Sequence, residues 1–198
     1  MCNNGCILPK EGFLEGIRTI CDRYDIALIF DEVITGFRLG LGGAQAYFNV
    51  TPDLSIFAKA MGSGYPISAI VGKKLWMDYI SNSEVIHAGT MNSSNSTIAA
   101  ALATISVLEE EQPYERMFKL GEKLMNGLKR AGNEAGLNLK VCGVGPVIVT
   151  SFSELDSVFD YRDTLQADKL KLNTFISGMQ NQYLFLNVQH LYTINLYL

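Results

Sequence analysis

The segments ALIFDEVITGFR and PDLSIFAKAMGSGYP each deliver one group able to do chemistry: Asp31 in the first and Lys59 in the second. Asp31 follows an apolar run, Ile26 to Phe30, and begins a pair of carboxylates before a Gly-containing turn. Lys59 follows a short apolar run and opens a Gly-rich loop closed by Pro66. A lysine amine forms a Schiff base with an aldehyde. A carboxylate keeps a pyridine nitrogen protonated, so that the ring withdraws electrons. A cofactor gripped in these two ways would be pyridoxal phosphate.

Taken singly, each residue has a plainer reading. A lysine near a strand end is usually a solvated surface group, and an acid there is usually a turn residue or a helix cap. Asp31-Glu32 also has the look of the Mg²⁺-holding strand end of a P-loop ATPase. That chemistry needs G-x-x-x-x-G-K-[ST] upstream, and Gly72-Lys73-Lys74 supplies neither the first glycine nor the final hydroxyl.

The elements that must position the pair follow from pattern. Pro9 to Tyr24 predicts a helix, with Phe13, Ile17, Ile20 and Cys21 on one face. Ile26 to Phe30 is continuously apolar, as in parallel strands covered on both faces. Helix followed by buried strand is half of a βαβ repeat, so an α/β layered domain is expected. Leu39 to Thr51, rich in glycine, predicts a long functional loop. Ser55–Phe57 and Ile67–Val71 read as strands, the latter buried, and 74–81 as a short helix. Thr97 to Glu110 is an alanine-rich helix with Asn95 and Ser96 as caps. A second unit begins near Pro113, with a helix to Gly132, a strand pair from Val141 to Phe152 and a helix from Asp168 to Met179.

Over Gly5 to about Glu111 the sequence resembles the class III, fold-type I pyridoxal-phosphate aminotransferases, and within them most the glutamate-1-semialdehyde aminomutase family. The words that carry the resemblance are DEVITGFR, PDL, KAMGSGYP and HAGT in one order. His87 and Met91-Asn92-Ser93 depart from the aminomutase text. The resemblance implies the second half of the fold's large cofactor-binding domain in residues 1–112, with a partial small C-terminal α/β domain in 113–198. It implies amino-group transfer or 1,2-amino migration on a small amino acid or amino-aldehyde. Lys59 would be the Schiff-base lysine and proton shuttle, Asp31 the partner of the ring nitrogen and Val33 the residue packed on the ring. Asp31 and Val33, two apart, would share a strand face. Thr90 would bind the phosphate of the cofactor held mainly by the neighbouring subunit, which makes the enzyme a homodimer with shared sites.

The family's phosphate loop and stacking aromatic find no match in the sequence, and the run from about Gln182, YLFLNVQHLYTINLYL, does not resemble the family. The expectation is a piece of a longer chain with an altered C-terminus, incomplete as an enzyme. Two other classes stay open: an inactive remnant that keeps part of the fold or the dimer surface, and an α/β binding module whose strand-end acids hold a metal.

Composition sets the remaining bounds. Over 198 residues, 48% hydrophobic and 18% charged describe a globular chain, and a net charge of −4 offers no basic face to nucleic acid or anionic lipid. No apolar stretch approaches the ~20 residues that span a bilayer, and the first residues lack a signal-peptide pattern. Cys2, Cys6, Cys21 and Cys142 have no C-x-x-C spacing. They read as thiols of a reducing compartment, hence a cytoplasmic protein without a structural metal.

Overall fold

The computed structural model describes residues 2–182 and 191–193, the last three as backbone. Its packing divides the chain into Lys10–Pro113 and a second unit made of the described parts of Met1–Pro9 and Tyr114–Leu198. The break after Pro113 lies beside the expected boundary. The difference is at the start, where the described residues 2–9 pack with the second unit rather than with residues 10–112. Cys6 is one reason: its buried thiol donates to the Val147 carbonyl at 3.6 Å.

In the Lys10–Pro113 unit, helix α1 (Phe13–Arg23) leads into strand β1 (Ile29–Asp31), helix α2 (Gly43–Tyr47) and strand β2 (Leu54–Phe57). A 3-10 turn, Lys59–Gly62, then precedes strand β3 (Ala69–Gly72), helix α3 (Lys74–Ser81) and helix α4 (Asn95–Glu111). The strands form one sheet in the order β1-β2-β3, with β1 and β2 parallel and β2 and β3 antiparallel. The apolar residues of α4 meet this sheet at its site end. Phe57, Met61 and Ala101 form the buried cluster, with Phe37, Ile67, Ala69 and Ile105 packed on it.

Three expectations change here. The first strand is shorter than Ile26–Phe30 and is not covered on both faces: Ile26 and Ile29 are 53% and 52% exposed. Among the described residues β1 has β2 on one side and no strand on the other. The strand expected to be buried at 67–71 is β3, displaced to Ala69–Gly72 and largely exposed, because it too has one neighbour only. The loop expected across Leu39–Thr51 contains α2, for a reason that lies in the site described below.

The second unit is built on a hairpin. Helix α5 (Tyr114–Glu134) packs on strand β4 (Leu139–Val144), which turns at Gly145-Pro146 into strand β5 (Val147–Phe152). Val147 and Ile148 are fully buried. Helix α6 (Tyr161–Thr164) carries a reciprocal cap between Asp160 and Asp163, and helix α7 (Lys169–Asn181) begins on the Asp168 side chain. Of the unmatched C-terminal run, Leu191–Thr193 forms β6, antiparallel to β5, and the rest lies outside the described residues.

Candidate functional site

The parallel register pairs Ile29 with Leu54 and Asp31 with Ile56. Two adjacent parallel strands therefore end together. β1 terminates on Asp31, while β2 runs on through Phe57 and Ala58 to Lys59. Carboxyl ends of strands in α/β sheets are where ligands bind, since the chain leaves the sheet there in loops that can carry side chains. The structure thus brings Asp31 and Lys59 to the same end of one sheet.

Both are exposed. Among the described residues they form no ion pair with each other or with a third group. Asp31 Oδ1 accepts the Val33 amide at 3.0 Å, and Oδ2 has no protein donor among the described residues. That bond also corrects the expected strand geometry. The strand stops at Asp31, and Val33 stands in the turn that follows, half-buried. An acid at a strand end captures the amide two residues on more readily than it continues a ladder.

Lys59 has φ 47°, in the left-handed region. For a residue with a Cβ this conformation costs about 1–3 kcal/mol, and such strain concentrates at functional sites. It is held by its surroundings: Met61 of the same 3-10 turn is buried in the cluster beneath α4.

Thr90 lies in an exposed turn ahead of α4. Ser94 precedes the helix, and its carbonyl takes the Thr97 hydroxyl at 2.9 Å. Among the described residues no hydrogen bond joins Thr90 to Asp31, Val33 or Lys59.

Two acids passed over in the sequence carry most of the local structure. Glu32 is 1% exposed. Its carboxylate accepts the Thr35 hydroxyl at 2.7 Å and the Ala44 and Gln45 amides at 2.6 and 2.9 Å. These are first-turn donors of α2, so a residue distant in sequence caps that helix and makes a helix of the expected loop. Gly43 permits it: a Cβ there would stand 2.5 Å from Glu32 Oε2. The signal was available, because neighbouring strand residues face opposite sides. Asp31 and Glu32 could not both face a ligand.

Asp53 sits at the other end of β2. It is buried, pairs with Arg18 at 2.9 Å and Lys73 at 2.6 Å, and accepts the Leu28 amide at 2.7 Å. Burial alone would raise its pKa. The bonds from Lys73, Leu28 and Arg18 overcome that and hold the carboxyl well below the usual carboxylate range. Its only sequence signal was the P-D-L word, since its partners are remote along the chain.

Two thiols, Cys6 and Cys142, are less available than ordinary cysteines. The hydrogen bond with Cys2, then burial, pushes Cys6 up, and burial does the same to Cys142. Among the described residues no group of three or more His, Cys, Asp or Glu side chains is placed to hold a metal ion. Nor is any helix among them long and apolar enough to cross a membrane.

The donor set at the strand ends fits a ligand that offers a carbonyl at one end and a ring N–H at the other. Among the described residues the amine of Lys59 has no partner and Oδ2 of Asp31 has no donor.

Comparison with known proteins bears on the family and the fold. The family described as Aminotransferase class-III matches residues 1–176. The chain is 38% identical over 185 residues to glutamate-1-semialdehyde 2,1-aminomutase of Desulfatibacillum aliphaticivorans, a match covering 93% of this chain and 43% of that one. Among solved structures, an omega-transaminase from Sphaerobacter thermophilus superposes with a TM-score of 0.88 at 27% identity, covering 97% of this chain and 44% of that one. A glutamate-1-semialdehyde aminomutase from Pseudomonas aeruginosa PAO1, solved in complex with PMP, has a TM-score of 0.85. At 23% identity it speaks for the fold alone, covering 98% of this chain and 45% of that one. The chain spans less than half the length of the curated relatives it matches. The fold is α/β and corresponds to part of a fold-type I transaminase. On the match over residues 1–176, this chain belongs to the class III aminotransferase family.

Proposed function

We propose that this chain supplies the amine and the ring-nitrogen partner of a pyridoxal-phosphate site, in a protein that moves an amino group on a small amino acid or amino-aldehyde. The observation that carries the reading is the register of β1 and β2, which brings Asp31 and Lys59 to one end of the sheet, both unpaired among the described residues. When bound, the cofactor supplies an electron sink for the carbon that carries the amino group.

The residues divide the work by their chemistry. Lys59 offers its amine as the covalent anchor and, once released by substrate, as the base that moves a proton at its Nζ. Its left-handed backbone fixes where the side chain leaves the turn. Asp31 keeps a ring N–H in place through Oδ2 while the Val33 amide steadies Oδ1. Val33 provides apolar cover from the same turn. In this reading the site is shared between two copies, and the Thr90 hydroxyl serves a phosphate held mainly by the other copy.

We propose further that the 198-residue chain alone turns over poorly. Support comes from α1, β1 and the residues between them in the Lys10–Pro113 unit. Phe13, Ile20, Tyr24, Ile26 and Ile29 are each more than half exposed there, and the far edge of β1 has no partner among the described residues.

The test is trapping. The chain is treated with excess pyridoxal phosphate, reduced with borohydride and mapped by peptide mass. The pyridoxyl group is expected on Lys59 in preference to Lys73 and Lys74. Labelling of those lysines with Lys59 left bare would refute the assignment.

A further inference from the structure

Among the described residues no ion pair joins Asp31 to Lys59, and the β1–β2 ladder that ends beside them is short, since β1 is only three residues long. A buried route does connect their strands. Glu32, adjacent to Asp31, accepts from the Gln45 side chain at Oε1 (3.3 Å) as well as from the Gln45 amide. The same Gln45 Nε2 donates to Ser55 Oγ at 3.1 Å. Ser55 is 3% exposed, lies on β2 opposite Phe30 and is followed on that strand by the residues that lead to Lys59. Glu32 and Ser55 are buried and Gln45 is half-buried, whereas Asp31 and Lys59 are exposed.

We propose that Glu32, Gln45 and Ser55 form a positioning bridge that sets the separation of Asp31 and Lys59. Its purpose rests on the function proposed above, but its existence does not. The chemistry fits the task. A buried carboxylate with four donors is a rigid anchor, since each lost donor leaves charge unsatisfied in a low-dielectric interior. One amide nitrogen shared between Glu32 and Ser55 ties the end of β1 to β2 beyond the ladder itself. A flexible loop at this place would let the two strand ends part. The capped α2 does not.

Amide exchange in the intact chain, without cofactor, tests the bridge. The site-end probes are the amides of Glu32 (to Ile56 O), Val33 (to Asp31 Oδ1) and Met61 (to Ala58 O). The reference probes are Asp53 and Leu54, both bonded to Leu28 O at the opposite end of the sheet. Gln45→Leu and Ser55→Ala should speed exchange at the site end about tenfold, while the reference amides change by less than about twofold. Ser55→Thr, which keeps the hydroxyl, should restore protection. Unchanged site-end exchange overturns the bridge. So does equal acceleration at both ends, which would make the network general scaffolding, and so does failure of Ser55→Thr to rescue. A parallel trapping run separates the two proposals. In the variants the pyridoxyl label should spread from Lys59 to Lys73 and Lys74. Wild-type selectivity in the variants, despite loosened amides, would show that the bridge does not position the lysine. No label at Lys59 in the wild type would sink the functional reading and leave the exchange result to decide the bridge.

Discussion

The two ends of the β1–β2 sheet treat charge in opposite ways. At the amino end of β2, Asp53 is buried, ion-paired twice and bonded to a backbone amide, so it joins α1, β1 and the residue before α3 in one node. At the carboxyl end, Asp31 and Lys59 are exposed and, among the described residues, unpaired, although they are opposite charges at neighbouring strand ends. A sheet that spent every charge on stability would have paired them. The first end is fastened, and the second is held open by a strained lysine backbone and a separate buried network. The contrast separates what the fold needs from what a ligand needs.

The comparison breaks most visibly at Asp53. Asp53→Asn leaves Arg18 and Lys73 without their shared anion. It should cost roughly 3 kcal/mol in urea unfolding, in line with loss of one partner from a buried pair. The folded pKa of Asp53 is depressed, so its contribution is fully present above the unfolded carboxylate value of about 4 and fades as pH falls below it. The wild type should therefore lose stability more steeply than Asp53→Asn below that pH. Parallel acid curves would detach the node from the stability of this unit.

A smaller loss is expected at Gly36, in the turn that follows Asp31. A Cβ there would stand 2.3 Å from Phe57 Cδ1 and 2.8 Å from the Glu32 carbonyl. Gly36→Ala should cost about 1–3 kcal/mol as overpacking, read as a lowered melting temperature. A neutral result would mean that the turn after Asp31 yields easily.

The two exposed site residues should contribute little or nothing to stability. Lys59→Gly relieves the left-handed backbone and should stabilise the chain by up to about 1 kcal/mol while abolishing the trapped label. Asp31→Asn should stay within about 0.5 kcal/mol of wild type. A destabilisation as large as that of Asp53→Asn, in either variant, would erase the difference between the ends.

Much of this was legible in the sequence because it is local. Helix 74–81 follows from spacing alone, and the helix begun at Thr97 needed only its cap moved forward. The Asp31/Lys59 pair was visible because two apolar runs each end in one functional group. What could not be read depends on partners far apart along the chain. Helix α2 exists because Glu32 caps it, and the role of Asp53 exists because Arg18 and Lys73 converge on it. The burial of β1 and β3 was misjudged for a related reason. Apolar composition says that a strand can be covered, but neighbouring strands decide whether it is, and each has a single one among the described residues. The turn at Val33 was misread as strand because the Asp31 side chain competes for its amide.

The central claim is that Asp31 and Lys59 act on one ligand. The most direct measurement is the ¹⁵N resonance of ring-labelled pyridoxyl trapped on Lys59, recorded at a pH where the free adduct has lost its ring proton. The account predicts a protonated ring nitrogen in the wild type and a neutral one in Asp31→Asn, at equal labelling of Lys59. A neutral nitrogen in both, or a protonated one in both, would contradict it.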